Sequence, residues 1–220
     1  NVANSAVYEV CEMKNESWSV TVLVHNYARK RGLYGEHGIS LLVETPGPEP
    51  AILFDTGQSG EVLLHNAELL GLDLSGIETI VLSHGHFDHT GGLPLLLRKL
   101  PMLRRIVAHP AAFEEKLNGP EPEGQIGSPI SAEEIREQGI ELQLTSEPQE
   151  ITPGLMTTGE VPRKHRIEEE AVKGFYHRPW DSQETPVPDS IPDDLSLTVT
   201  LPGSGFFLLC GCCHAGLINT

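Results

Sequence analysis

Positive charge is scarce in this chain of 220 residues. Lysine and arginine total 15 against 31 aspartate and glutamate residues, so the formal net charge is −16. A surface with this charge repels a phosphate backbone and an anionic membrane, and we therefore expect neither nucleic acid nor a membrane as a partner. A small anionic ligand stays compatible with this charge, because bound divalent cations would offset it locally.

Long apolar runs and paired cysteines are also lacking. No apolar stretch approaches the roughly 20 residues that span a bilayer, and no basic-then-apolar signal pattern opens the chain. The chain starts without methionine, so removal of a leader sequence stays an alternative.

Three cysteines lie close together in sequence, at Cys210, Cys212 and Cys213. A zinc knuckle with thiolate ligands would need a second cysteine pair, whereas Cys11 stands alone. We interpret the crowded cysteines as buried core residues and predict a reducing, cytoplasmic location.

The order of secondary-structure patterns predicts one domain over residues 1–220. Serine at 131 and glutamate at 134 form the capping-box pattern of a short helix. Other helices are predicted in "GEVLLHNAELLG" and "GGLPLLLRKLP". Strands are predicted in "WSVTVLVHNYA", "GISLLVET", "AILFDTG", "IETIVLS" and "RRIVAHP", and as a pair in "LSLTVTLPGSGFFLLC".

Residues 163–194 have no usable apolar period. Prolines and charges dominate this segment, which predicts a long loop. Phe175, Tyr176 and Trp180 are unusually apolar for a linker. We interpret the segment as a mobile lid over a binding pocket, with a disordered surface insertion as the alternative.

The stretch "SHGHFDHTGG" at residues 83–92 concentrates metal-binding side chains directly after a predicted strand. Side chains alternate in extended backbone, so His84 and His86 can point the same way and offer two imidazoles to one ion. Asp88 and His89 then fall on the turn, within reach of a second ion. The pattern predicts a metal site, and solvated loop histidines are the alternative.

Together with "LFDTG" and "GCCHAG", this stretch resembles the metallo-β-lactamase superfamily of metallohydrolases. Within it, "GEHGISLLVE", "AHPAAF", "TTGEVPR", "DDLSLTV" and "GCCHAGLINT" are similar to the dihydropteroate-synthase-like branch, also called superfamily II metal-dependent hydrolases. The resemblance implies an α+β fold, a four-layer αββα sandwich, with a dinuclear metal site at one sheet edge.

The resemblance also implies a ligand set. His84 and His86 would bind the first ion, Asp88 and His89 the second, and His214 is a further ligand. A histidine that caps a following helix is the alternative for His214.

Two aspartates carry catalytic expectations. Asp55 would orient the histidine motif by accepting hydrogen bonds, and Asp88 would orient the nucleophile or move a proton. A turn-forming aspartate is the alternative for Asp55. Asp193 and Asp194 could be only the acidic boundary of a strand. The residues expected to line a substrate pocket are Glu36, His37, His109, Glu160, Arg163, Tyr176 and Trp180.

The function implied is hydrolysis of a small ester, lactone or phosphoester by a metal-bound water, with two divalent ions. Zinc is the first expectation, and manganese or iron also suits mixed imidazole and carboxylate ligands. One alternative is a transferase that joins a dihydropterin methyl diphosphate to an aminobenzene ribofuranosyl phosphate. The other is a non-catalytic, metal-stabilised binding or sensor module. The substrate would be a small molecule, pterin-like or phosphorylated, and the sequence leaves the oligomeric state open.

The C-terminus raises a separate expectation. The superfamily usually supplies one more histidine after the "GCCHAG" region, and none follows His214 in this sequence. We therefore expect either a chain truncated at its C-terminus or a substitute ligand, with His109 and His177 as the candidates.

Overall fold

The computed structural model describes residues 17–121, 124–165, 172–201 and 203–220, so that Cys11 lies outside the described residues. The helices are α1 (Glu61–Leu70), α2 (Phe87–Thr90), α3 (Leu93–Lys99) and α4 (Ala132–Glu137), and a 3₁₀ turn spans Pro110–Phe113. The strands are β1 (Ser19–Val24), β2 (Ser40–Glu44), β3 (Ile52–Phe54), β4 (Thr79–Val81), β5 (Arg105–Ala108), β6 (Glu115–Asn118), β7 (Glu141–Leu144), β8 (Glu150–Thr152), β9 (Leu155–Thr157), β10 (Phe175–Arg178), β11 (Val187–Pro188), β12 (Ser196–Leu201) and β13 (Gly205–Cys210).

Two sheets carry the fold. The larger has the order β1-β2-β3-β4-β5-β7, and its members from β3 onward run parallel. The smaller has the order β13-β12-β9-β8 and is antiparallel throughout. Parallel strands end at one common edge, so the loops that follow β3, β4 and β5 lie side by side.

Apolar residues on both faces of the larger sheet explain its position. One face contributes Phe54, Val81 and Val107 to a buried cluster with Leu155 and Leu197 of the smaller sheet. The other face packs against α1, α3 and α4, and that cluster includes no residue of the smaller sheet. The expected α+β sandwich is therefore confirmed, with these helices on the outer side of the larger sheet.

Local signals placed several elements correctly. Ser131 accepts a hydrogen bond from the backbone N–H of Glu134 at 3.2 Å, and Glu134 accepts one from the backbone N–H of Ser131, as the capping box requires. Among the described residues, no helix combines the length and the apolar character needed to cross a membrane.

The segment 163–194 departs from its prediction, because it contains regular structure. Strand β10 pairs with β6 and with β11 in a third sheet of three strands. His177 pairs with Glu114, and Arg178 pairs with Glu115, so charged contacts replace the apolar alternation that would have revealed the strand. Residues 166–171 of the proposed lid lie outside the described residues.

Candidate metal centre

The predicted metal-binding residues meet at the edge where the parallel strands end. Asp55 follows β3 directly, and His84 lies three residues after the end of β4. His214 approaches from the other sheet, four residues after β13. The fold thus brings two distant segments of the chain together at one site.

Four imidazole rings form one cluster there. The ring of His84 has its centroid 4.6 Å from that of His86, 4.2 Å from that of His89 and 4.9 Å from that of His214. Nε2 of His84 lies 3.0 Å from Nδ1 of His86. The binding of one ion by both rings stays a prediction, because His86 belongs to neither group of three possible ligands found among the described residues. Residues 215–220 form turns, and the backbone N–H of Thr220 donates to the carbonyl oxygen of Gly216 at 3.0 Å.

Asp55 orients this cluster through hydrogen bonds to Ser83 and His89. Its carboxylate is fully buried and accepts hydrogen bonds from the backbone N–H of Ser83 at 2.6 Å and the Ser83 hydroxyl at 2.7 Å. It also lies 2.6 Å from Nδ1 of His89, which leaves Nε2 of that ring facing the cluster. The backbone of Asp55 is left-handed, with φ of 60°, a conformation that aspartate tolerates better than most residues.

The Ser83 side chain packs so closely against the loop after β13 that only glycine fits at position 211. A Cβ on Gly211 would lie 2.3 Å from the Ser83 hydroxyl oxygen. The same hydroxyl lies 2.9 Å from Nδ1 of His84. The contact therefore aligns the loop that carries Cys212 and His214 with the loop that carries His84.

A buried ion-pair network supports the backbone between the first two histidines. Asp193 accepts a hydrogen bond from the backbone N–H of Gly85 at 2.7 Å and another from Nζ of Lys116 at 2.7 Å. Lys116 also donates to Asp189 at 3.0 Å. Burial disfavours the charged forms, but the pairing outweighs it, raising the pKa of Lys116 and lowering that of Asp193. Asp193 is thus more than the acidic boundary of a strand.

Cys212 is the site residue that the sequence interpretation missed. The residue is exposed as a whole although its thiol packs against the histidine rings, while Cys210 and Cys213 are half-buried, so the prediction of buried core cysteines was wrong for all three. Its Sγ lies 3.1 Å from Nε2 of His89. Two groups of ligand atoms each lie within 4.8 Å of one another, and Cys212 belongs to both: His84, Cys212 and His214, and Asp88, His89 and Cys212.

Electrostatics keeps two of the rings neutral. Burial, reinforced by the neighbouring imidazoles, holds the pKa of His84 well below its ordinary value. Burial likewise lowers the pKa of His86 to about 4. Neutral imidazole is the form that binds a metal ion, so both rings are ready to act as ligands near neutral pH.

Neighbouring groups favour the charged forms of His89, His214 and Cys212. Burial opposes a charge on His89, but Asp55 outweighs it and raises the pKa of that ring well above its ordinary value. Burial would also raise the pKa of the Cys212 thiol, yet hydrogen bonding to His214 and His89 lowers it. The same thiol raises the pKa of His214 against the effect of burial. A thiol of lowered pKa is a better metal ligand.

Unpartnered nitrogen atoms test whether these residues fit a metal ion. Nε2 of His86 and Nε2 of His214 are buried and have no hydrogen-bond partner within the described chain. Buried polar atoms nearly always have a partner, so these two point to a missing one. Imidazole, thiol and carboxylate together form a donor set that suits transition-metal ions. The residues present therefore fit the expected metals.

Several predicted pocket residues make structural contacts instead. The Glu36 carboxylate accepts hydrogen bonds from the backbone N–H groups of Gln58 and Ser59, both at 3.1 Å. Arg163 donates to the backbone carbonyl oxygen of His214 at 2.7 Å and so holds the loop of that ligand. His37 is exposed.

The two substitute ligands that the sequence suggested have other contacts. Nδ1 of His109 accepts a hydrogen bond from the backbone N–H of Ala111, and its Nε2 lies 3.6 Å from the Glu160 carboxylate. His177 is paired with Glu114. Among the described residues, the group of possible ligands that contains Asp88 and His89 is completed by Cys212 and includes neither of these histidines.

One aromatic residue of the proposed lid reaches the cluster. The Phe175 ring has its centroid 5.1 Å from that of His86 and 5.9 Å from that of His214. Tyr176 is half-buried and lines a separate cavity of about 350 Å³, and Trp180 is exposed. Strand β10 therefore covers part of the histidine cluster.

Access to the cluster is through an open cleft of about 210 Å³. Asp88, His89 and Cys212 line one part of it, and His25 and Asn26 line another. A small molecule entering here would meet the carboxylate and the thiol first.

Comparison with known proteins agrees with this architecture. Residues 34–214 match the family model described as the metallo-beta-lactamase superfamily. The chain belongs to the metallo-β-lactamase superfamily. The match covers every proposed metal ligand, and it confirms the family resemblance on which the sequence analysis relied.

Individual relatives and one solved structure extend the comparison. A relative from Methanocaldococcus jannaschii named 7,8-dihydropterin-6-methyl-4-(beta-D-ribofuranosyl)-aminobenzene-5'-phosphate synthase is 30% identical over 214 residues, covering 94% of this chain and 71% of the relative. An uncharacterised protein of the same archaeon is 32% identical, with coverage of 91% and 71%. The crystal structure of Tm1679, described as a metal-dependent hydrolase of the beta-lactamase superfamily, is 28% identical with a TM-score of 0.71, covering 91% of this chain and 68% of Tm1679.

Proposed function

We propose that this superfamily member is a metal-dependent hydrolase that acts on a small ester, lactone or phosphoester. The observation that carries the proposal is the cluster of four imidazoles, in which two buried ring nitrogens have no partner among the described residues. A cluster of neutral and charge-stabilised donors in an open cleft is suited to holding ions that act on a bound substrate.

Two divalent cations, zinc in the first instance and manganese or iron otherwise, are assigned to separate parts of the cluster. His84, His86 and His214 would hold the first, and Asp88 and His89 the second. Cys212 lies beside both groups and completes the donor set of the second. Bound there, the cations would lower the pKa of a water molecule and polarise the bond under attack.

The side chains around the cations would orient the ligands, move a proton and exclude water. Asp55 keeps the Nδ1 proton of His89 in a hydrogen bond, which fixes the ring with Nε2 toward the cleft. Asp88 is only partly buried and lines the cleft, where its carboxylate can orient the nucleophilic water and accept its proton. Phe175 covers the rings of His86 and His214 and limits access of bulk water.

A second candidate function is a transferase that joins a dihydropterin methyl diphosphate to an aminobenzene ribofuranosyl phosphate, because the archaeal relative is named as the synthase of a dihydropterin linked to an aminobenzene phosphate. It is favoured by 30% identity over 94% of this chain. In that case Asp88 would not activate water, and the cations would stabilise the departing diphosphate.

A substrate panel separates the two functions. The purified chain, with its metal content measured, is assayed with phosphodiesters, lactones, esters and the pair of pterin diphosphate and aminobenzene ribofuranosyl phosphate. The hydrolase proposal predicts water-dependent turnover of one of the first three that is lost on chelation and restored by metal. Turnover of the pterin pair alone would establish the transferase, and inactivity of the metal-loaded chain on the whole panel would contradict both.

A further inference from the structure

The loop between β1 and β2 carries an unusual concentration of positive charge. Arg29, Lys30 and Arg31 are consecutive and make up three of the 15 basic residues in a chain of net charge −16. Within the described ranges, none of the three forms an ion pair with a carboxylate. Their charge is therefore available to a ligand rather than neutralised by the protein itself.

A cavity of about 580 Å³ lies against this loop. Val22 and Leu33 contribute apolar surface to it, and Tyr27 and Tyr34 contribute aromatic rings. Arg29 and Lys30 also line it. The volume falls within the range of about 300–1,000 Å³ that is usual for sites of small organic molecules.

The loop is held in place before any ligand arrives. Asn66 of α1 is buried and donates to the backbone carbonyl oxygens of Leu23 at 2.7 Å and Tyr34 at 2.9 Å, and it accepts from the backbone N–H of Tyr34 at 2.9 Å. His65 lies 2.8 Å from the carbonyl oxygen of Gly32, and its ring stacks on Tyr34 with centroids 4.1 Å apart. A preorganised loop loses little entropy on binding, which favours a ligand site.

The cavity adjoins the metal centre. His25 lines both this cavity and the cleft at Asp88, His89 and Cys212. The next residue, Asn26, also lines the cleft and accepts a hydrogen bond from the backbone N–H of Gly38 at 3.0 Å. The cavity and the cleft are therefore neighbours that meet at His25.

We infer that this cavity binds the phosphate-bearing aromatic portion of a small-molecule substrate, while the bond to be broken or transferred lies in the metal cleft. The inference rests on the proposed function, since it assigns the recognition half of the same site. Arg29 and Lys30 supply charge for the phosphate, and Arg29 already lies 5.6 Å from the centroid of the Tyr27 ring. The tyrosines and apolar side chains supply surface for a planar ring.

Calorimetric titration of the full chain, as purified, with phenyl phosphate tests the inference. We expect binding that weakens about fivefold or more in the double variant Arg29→Gln/Lys30→Gln, because charge-assisted hydrogen bonds are lost. The matched control is Arg98→Gln/Lys99→Gln, which removes the same charge from exposed positions of α3 and should leave binding unchanged. Inorganic phosphate should bind more weakly than phenyl phosphate, because it makes no ring contact.

The metal centre is tested separately by His86→Ala and by metal content. Phenyl phosphate binding that survives in His86→Ala but falls in the loop variant supports the cavity. Binding that is lost in His86→Ala and kept in the loop variant would place the probe at the metals and overturn the inference, leaving the proposed function intact. Absence of binding to the parent chain, or equal binding of inorganic phosphate, would also overturn it.

Discussion

The carboxylate of Asp55 lies 2.6 Å from Nδ1 of His89, and both residues are buried at the edge where β3 and β4 end. Because a hydrogen bond at one ring nitrogen fixes which nitrogen faces a metal, this contact decides how His89 presents Nε2 to the cleft. We therefore expect Asp55, which lies outside the proposed ligand set, to influence the affinity for an ion bound at the cluster.

Replacement Asp55→Asn tests this relationship. Asparagine tolerates the left-handed backbone, so the substitution removes mainly the charge. We expect metal affinity to fall about 10- to 100-fold, measured by competition with a chromophoric chelator. Asp73→Asn, at an exposed aspartate, is the control and should leave affinity unchanged. Equal affinities in all three proteins would show that Asp55 does not orient a ligand.

Replacement Lys116→Met tests the buried network. It leaves Asp189 and Asp193 buried without a countercharge, and we expect the free energy of unfolding to fall by roughly 3–5 kcal/mol in urea denaturation. Changing both aspartates to asparagine in the same protein should recover part of this loss. Lys99→Met, on the exposed side of α3, is the control. A loss below about 1 kcal/mol would mean that the network is not a stabilising element.

Replacement Cys212→Ser tests the thiol as a ligand. Cobalt bound by a thiolate gives a charge-transfer band in the near ultraviolet, and we expect the cobalt-loaded parent chain to show it. The band should disappear in Cys212→Ser and persist in Cys213→Ser, whose side chain belongs to neither ligand group. The assignment fails if the band persists in Cys212→Ser.

Acid is expected to destabilise the metal-free protein. The pKa values of His84 and His86 lie below the ordinary 6.5, and that of His86 is about 4. Just below pH 6.5 these histidines therefore bind protons in the unfolded chain but stay neutral in the folded chain. The free energy of unfolding therefore falls as the pH falls from about 6.5 towards 4, by up to about 3 kcal/mol from His86 alone. His89 does not offset this loss, because its raised pKa keeps it charged in the folded state throughout that window.

Chemical denaturation of the chelated protein across this pH range measures the effect. His86→Gln should flatten the slope of stability against pH, whereas His165→Gln, at an exposed histidine, should not. Identical slopes in the parent and both variants would show that burial of His86 does not control the acid response.

Sequence patterns predicted the parts of the fold that follow local rules. Strands β1 to β5 of the larger sheet lie in segments rich in apolar residues, and α4 begins at a capping box, so each could be located from neighbouring residues. The sixth strand of that sheet, β7, has the sequence "ELQL" and was not predicted. The spacing of His84, His86, Asp88 and His89 predicted a metal-binding motif, and the structure brings all four to one edge of the sheet.

The contributions that were missed depend on contacts between distant segments. Cys212 meets His89 across 123 positions of sequence, and only the pairing of β12 with β13 places it there. Lys116 lies in the polar strand "EKLN" and resembles a surface residue until Asp189 and Asp193 are folded against it. Strand β10 was hidden for the same reason, because its partner β6 is a distant and equally polar segment.

The most direct test of the metal centre is elemental analysis of the purified chain beside His86→Ala, with His165→Ala as an exposed histidine control. We expect up to two transition-metal ions per chain in the parent and the control, and a lower content in His86→Ala with the fold retained by circular dichroism. Full metal content in His86→Ala would contradict the assignment of this histidine as a metal ligand.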